Sequence, residues 1–298
     1  MPNPLTRTIT ITSLAALAAC SSTGTNRSSD HVDHEPAASA TVHGVPLSAS
    51  LPADAAGARA RLASSPRHAE WVTISSGSDS VRAWVVYPER KTKAPVIVVV
   101  HEILGLTPWV RAVADQLAAD GFIAIAPDLL TMKGLPNPTD SVPGQLAAAA
   151  IRTLDPRDVQ RQIDATARFA MALPSALPKY GIVGFCWGGN VSFEHAVHSS
   201  SLGASVVYYG SSPKTESLVS VRAPVLGLYG GTDARVGATI PPADSAMRAM
   251  RKTFTHYSYD GAGHGFLRQQ GLLDGANFTA TEQAWPATIA WFRRYLGR

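Results

Sequence analysis

The chain has 298 residues, 45% of them hydrophobic and 16% charged, with 24 glycines and 21 prolines. That length and apolar content suit one sizeable globular domain with a full core, and exclude a largely disordered chain. The formal charge of +4 is scattered rather than clustered, which argues against a nucleic-acid-binding protein.

Residues 1–19 read as a leader. Arg7 precedes an apolar stretch, Ile9 to Ala19, that is too short to span a bilayer as a helix of about 20 residues. Small residues then lead to a cysteine in Leu17-Ala18-Ala19-Cys20. This resembles a bacterial lipoprotein signal cut before Cys20, which would carry the lipid; a plain secretory signal is the alternative. Ser21 after the cysteine resembles outer-membrane sorting in Gram-negative bacteria, so the expected location is a membrane anchor facing the periplasm. Residues 20–52, rich in Ser, Thr, Ala, Pro and Asp, read as the lipidated cysteine and a flexible linker. His31, Asp33, His34, Glu35 and His43 fall in that linker. No rigid element fixes their spacing, so no metal is expected there. Residues 53–298 form the expected folded domain.

Ala53 to Ala63 suggests a short helix. Trp71 to Ile74 and Val81 to Tyr87 predict two antiparallel strands about the turn Ser75-Ser76-Gly77-Ser78-Asp79. Pro95 to Val100 is a continuous β-branched run, as a strand buried on both faces requires. Thr107-Pro108 opens a helix through Ala119, closed by Gly121, and Phe122 to Ala126 is the next strand. A Pro/Gly loop, Met132 to Pro143, leads to helical segments at Gln145 to Leu154 and Asp155 to Leu173. A strand, Tyr180 to Phe185, precedes a helix from Val191. The strands Ala204 to Tyr209, Val225 to Tyr229 and Thr253 to Tyr259 then alternate with helices Pro242 to Arg251 and Thr281 to Leu296. Alternation of this kind predicts an α/β fold: a doubly wound, mostly parallel sheet with an antiparallel N-terminal edge.

The chemistry concentrates at Gly184-Phe185-Cys186-Trp187-Gly188. A strand that turns sharply into a helix strains its central residue, and glycines two positions away avoid the resulting clashes. The helix N-terminus below the sulfur favours thiolate. Only two cysteines occur. With Cys20 taken by an anchor, Cys186 has no disulfide partner, and a lone thiol in an exported protein calls for a use. A thiol nucleophile needs a base, and the base an orienting acid. Asp233, after the strand ending at Tyr229, and His264, in Gly261-Ala262-Gly263-His264-Gly265, follow in the order nucleophile, acid, histidine. Each stands after its own strand, at the carboxyl edge of the sheet. His101-Glu102-Ile103-Leu104-Gly105 follows the first buried strand. The backbone amides of Ile103 and Trp187 are the oxyanion-hole candidates. Glu102 beside a thiol is unusual, with a bystander salt bridge as the alternative.

From about Trp71 to the C-terminus, the chain resembles the dienelactone hydrolase family of α/β-hydrolases. The matching residues are His101 to Gly105, Gly184 to Gly189, Asp233 and Gly263-His264-Gly265-Phe266. The resemblance implies that Glu102 takes the thiol proton when substrate binds, and that His264, held by Asp233, serves the acid–base steps. It also implies arginines that hold a substrate carboxylate. Arg268 matches one of them; Arg152 and Arg157 are candidates for the second.

The expected function is hydrolysis of lactones or small carboxylic esters through a thioester on Cys186, without cofactor. One alternative is a general carboxylesterase or thioesterase whose apolar pocket would use Trp109, Trp187 and Phe266. Another is a non-catalytic envelope binding protein on the same scaffold.

Overall fold

The computed structural model describes residues 50–77, 79–133, 135 and 142–297. The leader, Cys20 and the linker histidines and carboxylates lie outside the described residues, as does most of the loop after Met132. Packed structure is already present at Leu51, which joins the core, and Gln270 Nε2 donates to Pro52 O at 2.9 Å.

A short helix, α1 (Ala58–Ser64), precedes the hairpin β1 (Ala69–Ser76) and β2 (Asp79–Val86). The hairpin exceeds the expected strands because pairing runs unbroken from Ala69↔Val86 to Ser76↔Asp79. There follow β3 (Ala94–Val100), α2 (Pro108–Ala119), β4 (Ile123–Asp128), α3 (Gly144–Ile151), α4 (Pro156–Met171), β5 (Ala176–Phe185) and α5 (Trp187–His198). The C-terminal half adds β6 (Ala204–Tyr208), β7 (Val225–Gly230), α6 (Ala234–Gly237), α7 (Ile240–Ala249), β8 (Phe254–Tyr259) and α8 (Ala276–Leu296).

The eight strands form one sheet in the order β1-β2-β4-β3-β5-β6-β7-β8. β1, β2 and β4 pair antiparallel, whereas every pair from β4 through β8 is parallel. Alternation along β3 explains the layers. Ile97 and Val99 enter one core with residues of α2 and α8; Val96, Val98 and Val100 enter another with residues of α4, α5 and α7. All seven residues of β3 are buried, as a two-sided sheet demands. Parallel strands with helical crossovers bring their carboxyl ends to one edge. Cys186, Glu102, Asp233 and the loop of His264 all follow strand ends at that edge. Among the described residues, no helix is long and apolar enough to cross a membrane.

Candidate active site

The nucleophile turn is built by close backbone approach. β5 ends at Phe185 and α5 begins at Trp187, so Cys186 alone makes the corner, at φ 55° and ψ −115°. Its N–H is held by Tyr208 O at 3.1 Å, and its carbonyl accepts from Gly189 N at 3.0 Å. A Cβ on Gly184 would lie 1.8 Å from Gly188 O, which no side chain tolerates. Helix α5 starts four residues before the expected Val191. Gly188 and Gly189 have poor helix propensity, but the corner leaves room for nothing larger. The far end of α5 is pinned by a buried network, with His195 Nδ1 2.6 Å from Gln160 Oε1 and Nε2 3.0 Å from Tyr180 Oη. Burial lowers the His195 pKa to about 4, so the ring stays neutral.

Asp233 caps α6, its Oδ1 accepting from Val236 N at 3.2 Å. His264 Nδ1 donates to its other oxygen, Oδ2, at 2.6 Å, which leaves Nε2 for the remaining partner. Cys186 is the other group whose charge acts on that ring. The loop of His264 is fixed through Gly263 N, which donates to Asn277 Oδ1 at 2.9 Å. Burial opposes charge on His264, yet the hydrogen bond to Asp233 and the charges of Asp233 and Cys186 outweigh it and raise the imidazole to about 9. For Asp233, burial raises the carboxyl, but the His264 partner, Val236 N–H and Arg235 together hold it below the usual carboxylate range.

Glu102 is buried and faces Arg268, whose Nε lies 2.9 Å from Oε1. The contact is an ion pair without hydrogen-bond alignment, since neither atom has an aligned partner. Burial raises the Glu102 carboxyl, against the opposing pull of Arg268 and His264. The preceding residue, His101, is fully buried and its pKa is lowered to about 4 by burial. Its Nδ1 donates to Glu102 O at 2.9 Å and its Nε2 accepts from Leu129 N at 3.3 Å. That neutral ring also stacks on Trp187, 5.5 Å between centroids, and so ties the Glu102 loop to the nucleophile turn. The backbone amides of Ile103 and Trp187 have no hydrogen-bond acceptor among the described residues. Both side chains pack against an apolar patch of Leu130, Ala147 and Ile151.

The structure therefore brings together Cys186, His264, Asp233, Glu102 and Arg268. Arg152 and Arg157 stay exposed on the flank of α3 and α4, joined to none of these by any described contact. Trp109 and Phe266 are core residues, packed edge-on against Phe185 and Tyr209 respectively. Of the expected pocket aromatics only Trp187 is partly open. One residue was missed in sequence, Tyr209, whose ring lies 5.2 Å from that of His264. Its only signal was a second tyrosine at a strand end. Among the described residues no group of three or more His, Cys, Asp or Glu could hold a metal.

This arrangement has close counterparts. A family model for the dienelactone hydrolase family matches residues 81–296. A Salmonella typhimurium protein described as a "Putative carboxymethylenebutenolidase" is 31% identical over 238 residues, covering 76% of this chain and 87% of its own. One from Escherichia coli K12 with the same description is 30% identical, covering 77% and 88%. The crystal structure of a "Putative Dienelactone Hydrolase" from Klebsiella pneumoniae superposes with a TM-score of 0.67 at 28% identity, covering 77% of this chain and 99% of that one. Family model, relatives and superposed structure agree, and the chain belongs to the dienelactone hydrolase family of α/β-hydrolases, a lactone and ester hydrolase.

Proposed function

We propose that this hydrolase cleaves lactones and small carboxylic esters through a thioester on Cys186, with His264 and Asp233 as its acid–base pair. The observation that carries this is the strained corner at Cys186, together with the His264 that Asp233 holds at 2.6 Å. The sulfur, as thiolate, attacks the substrate carbonyl carbon. The amides of Ile103 and Trp187 donate to the oxygen that becomes negative. Collapse breaks the carbon–oxygen ester bond, and the departing oxygen takes the proton of His264 Nε2. Water then attacks the thioester carbonyl, giving its proton to His264, and the carbon–sulfur bond breaks to release the acid and the thiolate. The raised Glu102 carboxyl suits the role that the resemblance implies, acceptance of the thiol proton when substrate arrives.

Arg268, partly exposed beside Glu102, supports a preference for substrates bearing a carboxylate. The apolar patch beside Ile103 and Trp187 supports the second reading, a general esterase. Turnover of a carboxylated enol-lactone and a matched neutral aryl ester separates the two. The first reading expects preference for the lactone, lost in Arg268→Gln; faster neutral-ester turnover, indifferent to Arg268, overturns it in favour of the second. We further propose, from Leu17 to Ser21 alone, that Cys20 carries a lipid anchor to a periplasm-facing membrane. Labelling with a fatty acid that disappears in Cys20→Ala is the expected result, and label retained in that variant contradicts it.

A further inference from the structure

The edge of the sheet away from Cys186 concentrates positive charge. The loop from β2 to β3 presents Arg90, Lys91 and Lys93, and the last turns of α8 present Arg293 and Arg294, all of them exposed. Hydrogen bonds bring the two groups together. Arg90 Nη1 donates to Gly121 O and Arg293 Nη2 to Asp120 O, each at 3.1 Å, so both guanidiniums grip the end of α2. Two clefts open here, of about 420 Å³ and 550 Å³. Arg293 lines both, Arg90 the smaller and Arg294 the larger.

Little negative charge offsets these groups. None of the five cations forms an ion pair among the described residues. Two acids lie nearby. Glu89 stands 3.9 Å from Arg67. The Asp120 carboxyl accepts from Trp285 Nε1 at 3.0 Å, and burial raises its pKa. Like charges held together repel, and an anionic partner relieves that repulsion.

The course of the chain selects among anions. Ser50, the first described residue, lines the same cleft as Arg293 and Arg294. An anchor at Cys20 would therefore tether the domain by this face. The catalytic groups lie at the opposite edge, beyond the seven residues of β3, which span about 20 Å at about 3.3 Å each.

We propose that this face docks on anionic lipid headgroups, with Arg90, Lys91, Lys93, Arg293 and Arg294 meeting the phosphates and the Cys186 edge turned toward solvent. This rests on the lipid-anchor reading above and adds to it the orientation of the enzyme on its membrane. Substrate would then reach Cys186 from the aqueous side rather than from the bilayer.

The side chains of Lys91, Lys93 and Arg294 make no hydrogen bond among the described residues. The triple variant Lys91→Gln/Lys93→Gln/Arg294→Gln should therefore fold, and should hydrolyse a soluble ester as the parent does. Docking is measured by co-sedimentation of the full chain with vesicles of phosphatidylglycerol and phosphatidylcholine in equal parts. A Cys20→Ala background keeps any lipid on Cys20 from contributing. Each cation removed from an anionic surface weakens partition about fivefold. The triple variant should bind about a hundredfold more weakly than the parent, and rising salt should release the parent. Undiminished binding by the triple variant would overturn the proposal. So would equal binding of the parent to phosphatidylcholine alone, which would assign the contact to the apolar leader. Binding to a DNA duplex but not to the vesicles would overturn it too, in favour of a polyanion of another class. Fatty-acid labelling remains a separate readout. A wild-type chain that takes no label yet docks through these cations would defeat the anchor reading and leave the docking face standing.

Discussion

His264 holds its proton more tightly than an ordinary imidazole because Asp233 and Cys186 both face it. The folded value of about 9 lies above the reference value of 6.5. The imidazolium therefore contributes its full stabilisation below about 6.5, and loses it as pH rises through about 9. In the proposed mechanism the same proton serves the departing oxygen, so kcat should fall on the alkaline side near pH 9. Asp233→Asn removes the charge that sustains this. It should move the alkaline limb to lower pH and reduce kcat by about a hundredfold or more. A pH–rate profile measures both, and a limb that stays in place would mean that Asp233 does not set it. Cys186, Asp233 and His264 were legible in sequence because glycines and strand ends surround each of them. Tyr209 was not, since an aromatic at a strand end is ordinarily core, and its approach to His264 exists only in three dimensions. Arg268 came only from the family resemblance, and its pairing with Glu102 joins positions far apart in the chain.

At the scale of elements, propensity misplaced ends more than identities. α5 begins at Trp187 despite two glycines, because the corner at Cys186 admits no side chain at those positions. β5 starts at Ala176 rather than Tyr180, since pairing with β3 reaches back past a bulge to Ala94↔Ala176. Local pattern cannot report that partner. The same holds for the clasp of α1 on α2. Arg61 donates to Gln116 Oε1 at 2.6 Å, and Arg67 holds Asp115 through Nε at 2.9 Å and a terminal nitrogen at 2.6 Å. The side chains of Arg67 and Asp115 are 11% and 2% exposed, so Asp115 is buried and Arg67 shields it from water. Removing Arg67 leaves the buried Asp115 carboxylate with Ser65 Oγ, at 2.5 Å, as its remaining hydrogen-bond donor. Arg67→Ala should destabilise the fold by about 3–5 kcal/mol in chemical denaturation. A loss below about 1 kcal/mol, typical of surface pairs, would show that water screens Asp115. Arg67→Lys should recover only part, because an ammonium cannot match the two-point contact.

For the molecule as a whole, the doubly wound sheet does the positioning. Six strands, β3 to β8, run parallel and end at one edge. The loops after β3, β5, β6, β7 and β8 carry Glu102, Cys186, Tyr209, Asp233 and His264 in turn. Alternation of strands and helices made that architecture legible from sequence, with its antiparallel edge. Strand order was not, because β3 and β4 exchange places in the sheet, and a crossover leaves no local signature. The chemistry proposed for this edge is hydrolysis through a covalent thioester on Cys186. Rapid-quench mass spectrometry of the enzyme during ester or lactone turnover tests it most directly. The expected result is a transient mass increase equal to the acyl group, mapped to the Cys186 peptide and released by hydroxylamine, with turnover absent in Cys186→Ala. Undiminished turnover in Cys186→Ala, or an acyl group mapped to another residue, would contradict it.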